Sequence, residues 1–136
     1  MSPAYLFSIL ILAAAVLSCS KGNEKSPELI EANRLHLEAM KISVQLEQKL
    51  ENLSSQAKSA AQKTRIDSLK NLIEVWEENL IEVPGFAHAH DHTHGAHTHK
   101  AAPSMTDESM LDYQRQSKEA IIELRDVITK LDRDQK

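Results

Sequence analysis

Six of the chain's seven histidines fall within twelve positions, His88 to His99, in the stretch FAHAHDHTHGAHTHK. His88, His90, His92 and His94 recur at every second residue, and His97 and His99 repeat that spacing just after Gly95. In an extended chain alternate side chains lie on one side, roughly 6.6 Å apart. Two imidazoles so placed can close on one ion at about 2.0–2.1 Å for each Zn–N bond. Gly95 lets the second group fold back to supply a third or fourth ligand. Asp91 offers a carboxylate, either as a ligand or as an acceptor for a ring N–H. Imidazole suits Zn2+, Cu2+ and Ni2+, and the stretch has no thiolate to select Cu(I). With an ordinary pKa of about 6.5 most of these rings are neutral at pH 7, and protonation releases metal below about pH 6. No rigid cage is evident, so ligand sets exchange. The chemistry expected is capture, buffering or handover of a divalent ion, zinc first, rather than catalysis. The plainer alternative is a polar, pH-sensitive linker.

The seventh histidine, His36, stands beside Leu35 in a helical stretch and reads as a surface or boundary residue rather than a ligand. Catalysis has little else to draw on. The sequence shows no Ser-His-Asp constellation on a plausible fold, no Gly-rich phosphate loop and no His-Glu-x-x-His helix. The chain therefore reads as a non-enzyme.

Residues 4–17 are an apolar run broken only by Ser8. A membrane span needs about 20 apolar residues, so this run suits the core of a signal peptide over 1–18. It ends in Val16-Leu17-Ser18-Cys19, which resembles the lipobox of bacterial lipoproteins. The resemblance implies cleavage after Ser18 and a diacylglyceryl thioether on Cys19, with further acylation (palmitate) of its amine. Cys19 is the sole cysteine, so anchoring it leaves no thiol for disulfides, metal or nucleophilic catalysis. Each buried methylene is worth about 0.8 kcal/mol, so two or three chains hold a protein on a membrane persistently. The expected location is the cell envelope, on the outer or inner membrane, facing the periplasm or the cell surface. A plain secretory signal with an incidental Cys19 is the alternative.

The elements that must position the histidines are helical. Aromatic residues make up only 4% of the chain, and Leu, Ile, Ala and Val stand on a background of Glu, Lys and Gln. A net charge of −4 provides no basic patch for nucleic acid. After a polar tether over 19–26, Ser26-Pro27-Glu28 reads as a helix start. In the first helix Ile30, Leu37, Met40 and Val44 form one apolar stripe, and Leu35, Ala39, Ile42, Leu46 and Leu53 another roughly opposite. Such a helix is usually sandwiched between partners, either other helices of this chain or a second copy. The small residues near 54–59 suggest a turn, although one long interrupted helix over 27–83 is the alternative. Ile66, Leu69, Ile73, Trp76, Leu80 and Val83 then form a heptad seam, with Trp76 as core filler. Pro84-Gly85 closes it. A flexible His-rich loop spans 84–104, and Ser104, Thr106, Asp107 and Glu108 open a last helix over 105–133. Its seam is Met110, Ser117, Ile121, Leu124, Ile128 and Leu131, widened by Leu111, Ile122 and Val127. The fold class is all-α: a three-helix antiparallel bundle, or a helical hairpin, with coiled-coil-like seams.

The whole layout resembles small lipoproteins of Bacteroidetes-type bacteria. What carries the resemblance is the lipobox, then residues 76–85 (WEENLIEVPG) running into the histidines, then a final helix opening MTDESMLDYQ. It implies location and architecture and little mechanism. Two functions are therefore expected in competition. One is a membrane-anchored metal binder that holds zinc or passes it to a partner such as a metal transporter. The other is a helical scaffold lipoprotein that docks a partner or forms a homo-oligomer.

Overall fold

The computed structural model describes residues 24–86 and 100–134. Three helices form a bundle: α1 (Pro27–Gln56), α2 (Ala60–Asn79) and α3 (Asp107–Asp134). Of the two architectures the sequence leaves open, this is the three-helix one. Lys118 bonds Glu38 and Lys49 bonds Asp132, so α1 and α3 run in the same direction while α2 returns between their ends. No described helix is long and apolar enough to cross a membrane.

Local chemistry sets the helix starts. The Ser26 hydroxyl accepts from the Leu29 amide at 3.1 Å, with Pro27 in the first turn and Glu28 complementing the dipole. Residues 57–59 break the chain between α1 and α2. There Ala57 turns extended, and Ser59 and Gln62 cap each other's backbone amides reciprocally. Thr106 caps α3 by accepting from the Ser109 amide at 3.2 Å.

The inner face of α1 differs from the apolar stripes read in its sequence. Ala32, His36, Ala39, Ser43, Leu46, Leu50 and Leu53, spaced alternately by four and three, are all buried. His36 is thus a fully buried residue of the bundle and not a surface or boundary one. Of the stripe Ile30, Leu37, Met40 and Val44, only Met40 is buried; the other three are exposed. Small side chains at 32, 39 and 43 let α3 approach closely, and α1 against α3 is the most extensive interface. The main core joins Leu46, Leu50 and Leu53 to Ile66, Leu69 and Ile73 of α2 and to Ile121, Ile128 and Leu131 of α3. Trp76 is half-buried against this core, and its ring N–H donates to the Ser117 carbonyl at 2.9 Å.

Surface charge contributes little. The Lys118 ammonium beside Glu38 and the Arg34 guanidinium beside Glu31 hold both carboxyls below the usual 4.5. Stabilisation of that sign is present at neutral pH and is lost as pH falls through the lowered values. Both carboxylates are half exposed, so the effect is small.

Candidate metal-binding stretch and its clasp

The residues expected to ligate metal, His88, His90, Asp91, His92, His94, His97 and His99, lie outside the described residues, as does Cys19. Among the described residues no group of three or more His, Cys, Asp or Glu is placed to hold a metal ion. What the fold does define is the pair of flanks from which the stretch departs and to which it returns.

The departing flank begins where α2 stops. The heptad pattern carries the expected helix to Val83, but α2 ends at Asn79 and Leu80 is extended. Pro84 disfavours helical backbone at Val83, and its ring would strike the carbonyl four residues earlier. The carbonyls thus released are taken up by α3. Tyr113 donates its hydroxyl to the Asn79 carbonyl at 2.6 Å, and the Gln114 amide donates to the Ile81 carbonyl at 2.7 Å. Leu80 and Val83 are nevertheless buried, because an extended strap delivers them to the interior. Burial pushes the Tyr113 phenol pKa up. Val83 to Phe86 then form a turn: Pro84 stands second, Gly85 third with φ +78°, and the Phe86 amide donates to the Val83 carbonyl at 3.3 Å. This is type II geometry, which needs positive φ at its third position.

The returning flank is Lys100. It pairs with Ile81 in an isolated parallel bridge, accepts from the Glu82 amide at 3.3 Å, and donates its ammonium to the Asn79 side chain at 2.7 Å. Phe86, Ala102 and Met105 pack on a second, smaller core of Ala32, Val83 and Met110. Phe86 and Lys100, the described residues on either side of 87–99, are thereby both fastened at one end of the bundle. Lys25 joins the same end, its ammonium 3.6 Å from the Phe86 ring centroid, a cation–π contact.

No known protein family, no curated protein and no solved structure matches this chain.

The clasp residues Asn79, Lys100, Tyr113 and Gln114 were not singled out from sequence. Gln114 did leave a trace there: it falls four residues after Met110 and seven before Ile121, on the buried row of α3, where an apolar count skips it.

Proposed function

We propose that this chain is a lipid-anchored protein of the cell envelope that captures a divalent transition metal, zinc foremost, for buffering or handover to a membrane transporter. His88, His90, His92, His94, His97 and His99 supply the nitrogen ligands, with Asp91 as ligand or support. The observation that carries the reading is the alternation of those histidines, and the clasp at Lys100 supports it by fastening the chain just after them. The lipobox-like Val16-Leu17-Ser18-Cys19 and the sole cysteine support the anchor.

Anchor and histidines belong to one end of the bundle in this reading. From Cys19 to Lys25 the chain can span at most roughly 20 Å, and Lys25 lies against Phe86, where the histidine stretch departs. A metal held there is within reach of a protein embedded in the same bilayer.

Calorimetric titration with Zn2+, Cu2+ and Ni2+ tests the proposal on a chain starting at Ser20, which keeps every described residue. Zinc binding at a micromolar Kd or tighter is expected at pH 7.4, weakening at least about 100-fold at pH 5.5 as the imidazoles protonate. Binding no tighter than about millimolar for all three ions would end it.

A further inference from the structure

α1 carries an apolar ridge on its outer side. Ile30, Leu37 and Val44 keep 55%, 45% and 37% of their surface exposed. At 100° per residue they lie opposite the buried row of Ala39 and Leu50. Single exposed apolar residues are ordinary on protein surfaces, but three in one row at seven-residue spacing make a strip. On the far side of the bundle α2 and α3 touch each other least of the three helix pairs. Between them lies a groove of about 420 Å3 with Leu72, Val75 and Trp76 on one wall and Ala120 and Leu124 on the other. None of its lining residues is charged, Leu72 and Val75 are exposed, and the exposed Val127 continues the α3 wall.

We infer that a second copy of this chain fills the groove, seating its α1 ridge between α2 and α3. The inference goes beyond the metal reading and stands without it. Charge selects this pairing over ridge against ridge. Lys41 stands between Leu37 and Val44 on the outer row, and Arg34, bonded to Glu31 and Glu38, between Ile30 and Leu37. Arg34 is thus already answered, and Lys41 is the cation a partner must meet; on a facing ridge Glu31 and Glu38 are engaged by Arg34 and Lys118 and offer it no free carboxylate. Next in sequence to the groove's lining residues stand five exposed acids, Glu78 and Glu123 among them, against three bases, so its flanks offer Lys41 a surplus of carboxylates. The arrangement also accounts for a helix with apolar residues on two sides: α1 is covered within by its own α2 and α3, and without by those of the neighbour. Ridge and groove are different surfaces, so the contact is heterologous. Each added copy presents a fresh ridge or groove, and the assembly grows as a row.

Leu37→Glu breaks the ridge and Leu72→Glu breaks the groove, and both positions are exposed, so circular dichroism should show intact helices. Sedimentation of the full-length chain in mild detergent is expected to give a concentration-dependent series of dimers and larger species. Each variant alone should associate at least about tenfold more weakly. The two variants mixed in equal amounts should form dimers and nothing larger, because one retains a groove and the other a ridge. A monomeric wild type at about 100 µM would overturn the inference, as would a wild-type series in Leu37→Glu or a mixture that fails to pair.

Discussion

Leu50→Ala lowers the stability of the bundle by about 2–5 kcal/mol, the range for truncating a leucine in a close-packed interior. Leu50 is fully buried in the main core, in a cluster with Ile66 and Ile73 of α2 and Ile121 and Ile128 of α3. All three helices contribute to that cluster, so the void left by Leu50 has walls on separate elements and cannot close by one side chain moving. Native domains are stable by only about 5–15 kcal/mol, and small ones bury the least surface per residue. The loss is therefore a large share of the total. Urea unfolding followed by circular dichroism reads it: the midpoint should fall with the slope unchanged. A change below about 0.5 kcal/mol would contradict the placement of Leu50.

Replacing His88, His90, His92, His94, His97 and His99 together by Asn should weaken zinc binding at least about 100-fold without altering helix content. None of the residues in the two described cores is among the six, so the urea midpoint without metal should stay that of the wild type. The pH dependence of zinc binding between about 5 and 7 should be largely lost with these rings, since the one histidine left, His36, is buried inside the bundle. Zinc should also raise the wild-type midpoint only modestly. The histidines are close in sequence and remain so in the unfolded chain, which keeps part of the affinity and cancels part of the linkage. A six-histidine variant with wild-type zinc affinity would remove the functional reading.

How far each helix could be read from sequence depended on which residue types sit on its inner row. α2 and α3 announced themselves because Ile66, Leu69, Ile73 and Ile121, Ile128, Leu131 are large, apolar and regularly spaced. On α1 two polar residues, His36 and Ser43, occupy inner positions and Ala32 and Ala39 are small. An apolar count therefore weighted the outer ridge of Ile30, Leu37 and Val44 as heavily as the true inner face. The end of α2 was illegible for a different reason. Leu80 and Val83 keep the heptad spacing, and an extended strap buries them as well as a helix would. Only the partners Tyr113 and Gln114, more than thirty residues later, show that Asn79 and Ile81 give their carbonyls to α3. The histidines themselves were plain from composition. Their clasp was not, because Asn79 and Lys100 are ordinary surface residue types that become partners only once α2 stops.

Zinc K-edge X-ray absorption on the full-length chain carrying one equivalent of Zn2+ tests the central claim most directly. The expected spectrum has a first shell of nitrogen and oxygen at about 2.0–2.1 Å with the outer-shell scattering of at least two imidazole rings. An oxygen-only shell without imidazole scattering, or failure of the protein to retain the ion through desalting at pH 7.4, would contradict it.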